Sequence, residues 1–134
     1  MSTYTAFLIN PFTCTVSEVT LEKKDYSLIN KNLDCRTFTI GAALTESEDP
    51  DVLMVDDEGL FVDMDVQRFF KFNDLPPRYR YDESNQFAGK GLIVGSDTEG
   101  GSQTPKISIE ALRGMISWES RAREDLLSQN TGVK

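Results

Sequence analysis

From residue 37 to residue 67 the chain has no lysine or arginine, yet nine carboxylates lie between Glu46 and Asp65. Two apolar runs interrupt those acids, Val52-Leu53-Met54-Val55 and Leu60-Phe61-Val62. The combination is restrictive. Unpaired charges do not enter a core, and apolar runs of β-forming residues do not stay in water. The segment is therefore expected to fold as short strands with their carboxylates at turns and on the solvent side. Asp56-Asp57-Glu58-Gly59 separates the runs and reads as a hairpin turn, with glycine where positive φ is usual. The formal net charge is -8, and the thirteen carboxylates elsewhere are matched by fourteen lysines and arginines, so this stretch carries the whole imbalance. A negative surface held in place by strands selects basic partners and repels nucleic acid.

The rest of the chain is punctuated in the same way. Residues 4–9 form a β-leaning run ended by Asn10-Pro11. Residues 13–21 alternate in polarity with a slip near Glu18, and the two runs are expected to pair as a hairpin around Asn10-Pro11-Phe12. Asp25 is placed to cap a short helix carrying Leu28, Ile29 and Leu33. Residues 36–40 return to strand character, with Phe38 and Ile40 on one face. Residues 66–72, with Phe69, Phe70 and Phe72, fit either one short helix or an irregular packed segment. Leu75-Pro76-Pro77 stops any helix. A strand is expected within residues 87–94, then a polar loop over 95–104. The last element is a helix capped by Ser108, with Ile109, Leu112, Met115 and Ile116 on one face and Trp118, Ala122 and Leu126 extending it. These elements predict one α+β domain over residues 1–127. It would hold a mostly antiparallel sheet of about five or six short strands, with one or two helices on one face and a fraying tail at 128–134.

Composition narrows the chemistry. Eight Phe, four Tyr and one Trp are too many rings to leave solvated, so the chain is expected to fold. The sequence contains no histidine. Ser–His and Cys–His nucleophile pairs are therefore excluded, as are zinc or iron sites built on imidazole. No catalytic residue, cofactor or metal is expected. Cys14 and Cys35 read as reduced, buried, small apolar residues. No segment approaches the roughly 20 apolar residues of a membrane span. The N-terminal residues lack the basic region of a signal peptide, so a cytoplasmic protein is expected.

Candidate motifs mostly fail on spacing. Gly89-Lys90-Gly91 lacks the first glycine and the Ser or Thr of a phosphate loop, and a strand follows it where a helix belongs. The acids do not follow the spacing of a calcium-binding helix–loop–helix. Arg78-Tyr79-Arg80-Tyr81 interleaves bases and rings as single-strand binders do, but the overall charge opposes phosphate contact. An alternative function as a small-molecule or anion binder would use backbone amides of residues 89–102.

Several segments together carry a resemblance. They are Leu8-Ile9-Asn10-Pro11-Phe12, Val55-Asp56-Asp57-Glu58-Gly59-Leu60-Phe61, Phe87-Ala88-Gly89-Lys90-Gly91-Leu92-Ile93-Val94-Gly95 with Asp97 and Glu99, and Ile107-Ser108-Ile109-Glu110. Over about residues 5 to 118 the chain resembles a family of small acidic proteins of phages, prophages and related mobile elements, a domain of unknown function. The resemblance implies a mobile-element accessory protein acting in a host cell and transfers no catalytic residue. With the charge pattern, it leads to an expected non-enzymatic interaction protein that binds a basic surface of a host protein. Nucleic-acid mimicry or inhibition of a defence factor is the form such binding would take. The expected contacts are Asp49, Asp51, Asp56, Asp57, Glu58, Asp63 and Asp65, with Phe61 as apolar anchor. No direct nucleic-acid or membrane contact is expected, and a homodimer is possible through basic Arg78–Arg80 meeting the acids of a second copy.

Overall fold

The computed structural model describes residues 2–45, 47–63, 65–73, 85–99 and 101–119. The Arg78-Tyr79-Arg80-Tyr81 stretch and the expected tail at 128–134 lie outside them, as do Glu46, Ala122 and Leu126. The fold is α+β and mostly sheet, with antiparallel strand pairing. The first two runs form the expected hairpin, β1 (Thr3–Asn10) and β2 (Thr15–Glu22), in unbroken register from Thr3↔Glu22 to Asn10↔Thr15. There is no slip at Glu18. Val16 faces one core and Val19 and Leu21 face the other, so a regular strand contributes to both sides.

Helix α1 (Ser27–Leu33) follows. Tyr26 holds its N-cap position, and Asp25 acts one residue earlier, its Oδ1 accepting from the Ser27 amide at 3.2 Å. Strands β3 (Phe38–Ala43) and β4 (Val52–Asp56) pair antiparallel, with a register shift between Ile40 and Ala42 that leaves Gly41 as a bulge. The bulge turns the alternation over. Phe38 packs on the α1 side, whereas Ala42 and Leu44 enter the opposite core.

The expected second strand of the acidic hairpin does not form. Leu60 and Phe61 lie in a 3-10 turn, Gly59–Phe61, and the described residues between it and β5 (Phe69–Phe72) belong to no strand. Residues 66–72, read as a helix or an irregular segment, instead contain this strand. Phe70 and Phe72 point into the core while Lys71 between them is half-exposed. The glycine-flanked run becomes two strands, β6 (Gln86–Ala88) and β7 (Gly91–Ser96), separated at Gly89, whose φ is 80°. The loop beyond holds a two-residue strand, β8 (Ser102–Gln103). Helix α2 (Ile109–Met115) is capped as expected, Ser108 Oγ accepting from the Ala111 amide at 3.1 Å. It ends at Met115 and passes directly into β9 (Ile116–Glu119), so Ile116 and Trp118 are strand residues.

Among the described residues the nine strands make two layers. The main sheet runs β2-β1-β7-β4-β3, with β8 beside β7, and the second runs β6-β5-β9. Each layer includes pairs distant in sequence, β1–β7 and β4–β7 in one and β5–β9 in the other, which is why short runs read singly suggested fewer strands. Helix α1 covers one face of the main sheet through Ile29 and Leu33 against Tyr4, Leu21, Leu92 and Val94. The second sheet and α2 cover the other, where Phe70, Phe72, Leu112 and Ile116 meet Phe7, Ile9, Leu53 and Ile93. The two helices thus lie on opposite faces. Phe70, Phe72 and Phe87 contact one another between the sheets, with centroids 5.6 to 6.1 Å apart. Each fully buried ring contributes about 2 kcal/mol from apolar burial.

Among the described residues no helix is long and apolar enough to cross a membrane. Both cysteines are free, but neither is buried: Cys14 is exposed and Cys35 half-buried.

Candidate functional site

Strand β4 divides the acidic stretch into two groups. Asp49 and Asp51 precede it, Asp56 is its last residue, and Asp57, Glu58, Asp63 and Asp65 follow. An extended strand rises about 3.4 Å per residue, so Asp51 and Asp56 are separated by about 17 Å. The expected single ridge is therefore two separate places.

Asp51 is not a surface acid. It is 5% exposed. Its carboxylate accepts from the backbone amide of Lys106 at 3.0 Å and from that of Ile107 at 2.9 Å. It pins the segment before α2 against the start of β4 and has no face left for a partner. The nearby Asp49 carbonyl accepts from Lys106 Nζ at 2.5 Å.

The second group surrounds the 3-10 turn. Asp56 Oδ1 accepts from the Glu58 amide at 2.8 Å, which closes the turn leaving β4. Glu58 pairs with Arg36, Oε2 to Nη2 at 2.6 Å and Oε1 to Nε at 3.1 Å, so its charge is balanced at the surface. Asp57 is exposed, with its amide bonded to the Thr37 carbonyl at 2.9 Å. Asp63 and Asp65 are exposed, and Asp63 Oδ1 accepts from the Asp65 amide at 3.0 Å. Among the described residues no cluster of three or more potential metal ligands occurs.

Apolar side chains crown this group. Phe61 is 85% exposed, Leu60 57%, Val66 59% and Val62 38%. Read as a strand, residues 60–62 would have lost this surface to a core. The sequence signal for them was only a short apolar run, which does not separate a buried strand from an exposed turn.

The turn that carries them is firmly seated. Gln67, 3% exposed, donates from Nε2 to the Gly59 carbonyl at 2.6 Å. The Gly89 amide donates to the Arg68 carbonyl at 2.8 Å. A Cβ on Gly59 would lie 2.9 Å from the Ala88 carbonyl oxygen, so the turn approaches the β6–β7 connection as only glycine allows. Gln67 and Arg36 were not singled out from sequence, because their importance lies in partners far along the chain; Gly59 was read as a hairpin glycine of positive φ, whereas the close approach to Ala88 is what requires it.

Two depressions flank the turn. One, of about 230 Å³, is lined by Thr39, Gly41, Val55, Leu60, Phe61 and Phe87, with Asp56 and Asp57 at its margin. The other, of about 320 Å³, is lined by Phe12, Leu33, Val62 and Lys90 among others. Lys90 there is paired with Asp34.

The alternative site over residues 89–102 has a different character. Asp97 Oδ1 accepts from the amides of Gly101 at 2.7 Å and Glu99 at 2.9 Å, which hold its carboxyl below the usual range. Two of the loop's amides are thus taken by its own carboxylate, and residues 91–96 form β7.

No protein-family model, curated protein or solved structure matches the chain. The resemblance to phage-borne acidic proteins rests on its motifs alone.

Proposed function

We propose that the protein is a non-enzymatic interaction module that docks on a basic surface of a partner protein through the turn at residues 57–63, with Asp65 and Val66. One observation carries the reading: Phe61 stands 85% exposed on a turn fixed by Gln67 and the close approach of Gly59 to Ala88. A phenylalanine on a loose loop would fold back over apolar surface. Here it is held out, beside Asp57, Asp63 and Asp65. Interfaces of this type combine an aromatic anchor with a charged rim, the anchor supplying affinity and the rim supplying encounter rate and selectivity. A second copy of the chain fits poorly, because face-to-face contact would oppose the same carboxylates. A long mimic of a phosphate backbone is not favoured, since Asp49 and Asp51 lie at the other end of β4.

In the setting the resemblance implies, the partner is a host protein and the protein works in the host cytoplasm, where its two thiols stay reduced. The test is affinity capture from a host-cell lysate at low and high salt. The wild type should retain a basic protein that is released as salt rises. The Phe61→Ala, Asp57→Asn double variant should lose it at unchanged melting temperature. Equal capture by both proteins would remove this turn from the interface.

A further inference from the structure

Among the described residues the sandwich is open along one side, and the docking turn stands at that opening. Strand β3 ends the main sheet and β6 ends the second sheet. The 230 Å³ groove lies between them, with Thr39 and Gly41 on one wall, Phe87 and Ala88 on the other, and Leu60 and Phe61 beside them. Its lining is largely apolar, and Asp56 and Asp57 are the charged residues among those that line it.

The edge of β3 is directional. The Asp57 amide donates to the Thr37 carbonyl at 2.9 Å, so Thr37 and Asp57 form a hydrogen-bonded pair of the β3–β4 ladder. In an antiparallel ladder such pairs alternate with pairs whose N–H and C=O groups point away from each other. The next pairs in register are Phe38↔Asp56, Thr39↔Val55 and Ile40↔Met54. Phe38 and Ile40 therefore direct their backbone N–H and C=O groups out from the sheet, while Met54 uses its own toward Leu92 of β7. Ile40 is 46% exposed, and β3 has β4 as its one strand neighbour among the described residues.

We propose that this edge and groove take up an extended segment of the partner as an added strand beside β3. The segment would place an apolar side chain in the groove against Phe87 and Leu60, and lysine or arginine against Asp56 and Asp57. Main-chain pairing supplies affinity in such additions, and pockets for alternate side chains supply selectivity. The charge of the rim selects a basic strand over an acidic one, and the arginine that a second copy presents at its own turn, Arg36, is already paired with Glu58. The inference rests on the docking reading above and specifies its partner as a basic, alternating β segment.

The probe is a synthetic peptide alternating lysine with valine around a central phenylalanine, and the same peptide N-methylated on every second amide. Binding is followed by amide hydrogen exchange and chemical shifts of the intact protein. Strand addition predicts slowed exchange at Phe38 and Ile40, and affinity about tenfold lower for the methylated peptide, as the loss of one or two backbone hydrogen bonds requires. Equal binding of both peptides without protection at these amides, but weakened by Phe61→Ala, overturns strand addition and leaves side-chain docking at the turn. Failure of the unmethylated peptide to bind at saturating concentration also overturns strand addition, and the lysate capture then decides the docking reading by itself.

Discussion

The side-chain amide of Gln67 donates to the backbone carbonyl of Gly59 at 2.6 Å, tying together two residues eight positions apart. The same amide's oxygen accepts from the Arg68 backbone N–H at 3.1 Å, so a nearly buried side chain satisfies one group on each side of itself. Replacing Gln67 with leucine keeps the volume and removes both bonds. The buried groups left without partners should cost about 1–3 kcal/mol in denaturant unfolding. The amides of residues 60–62 should also exchange faster. An unchanged unfolding midpoint would show that the turn is held by other means.

Two acids that look alike in sequence should behave in opposite ways. Asp51→Asn places an NH₂ against the amides of Lys106 and Ile107, and should cost about 2–3 kcal/mol. Asp57→Asn changes an exposed carboxylate and should stay within about 0.5 kcal/mol of wild type. Thermal or chemical denaturation of the two variants separates the structural acid from the surface one.

Much of the fold could be read from local pattern, because alternation and turn residues are local properties. The β1–β2 hairpin, α1 and the Ser108 cap all follow from neighbouring residues. What escaped was decided at a distance. Phe69, Phe70 and Phe72 have no clear period of their own, and they become a strand because β6 and β9 lie on either side. Trp118 continues a helical pattern on paper but pairs with Phe70 in the second sheet. Leu60-Phe61-Val62 was expected to pair with β4, but β4 already has β3 and β7 as neighbours. The displaced run sits outside as an exposed turn. The candidate site was thus legible as residues near Phe61 and not as geometry. The burial of Asp51 depends on Lys106 and Ile107, more than fifty residues away.

The two cysteines should differ in reactivity. Burial, with the charge of Asp56 adding to it, pushes the Cys35 thiol up to about 11, and Cys14 is exposed. Alkylation at pH 8 should modify Cys14 first, with Cys35 following only slowly until denaturant is added. The sign of the linkage is fixed by the raised value: the folded state holds the Cys35 proton more tightly than the unfolded state. Stability from this group is full below the ordinary thiol value of about 8.5 and falls as pH rises from there toward 11. The raised Tyr4 hydroxyl, whose main cause is also burial, adds a loss of the same sign above pH 10. Unfolding free energies measured from pH 7 to pH 10.5 should decline, and a rise over that range would contradict both assignments.

Two glycine substitutions should move stability in opposite directions. A Cβ on Gly91 would lie 2.6 Å from Phe70 Cζ and 2.8 Å from Leu53 Cδ1, both in the core. Gly91→Ala should destabilise by about 1–3 kcal/mol through overpacking. Gly114 lies in α2 with nothing within 4 Å of an added Cβ. Gly114→Ala should stabilise by about 0.5–1 kcal/mol, by restricting the unfolded chain. Midpoints of thermal unfolding for the pair check the packing between the sheets and the exposure of α2 together.

The most direct measurement places a photoreactive phenylalanine analogue at position 61 and, for comparison, at the exposed Thr20 of β2, then irradiates each protein in host-cell lysate. The docking account predicts one dominant adduct from position 61, formed with a basic protein, weakened at high salt and absent from position 20. Adducts that are the same from both positions, or none from position 61, would contradict it.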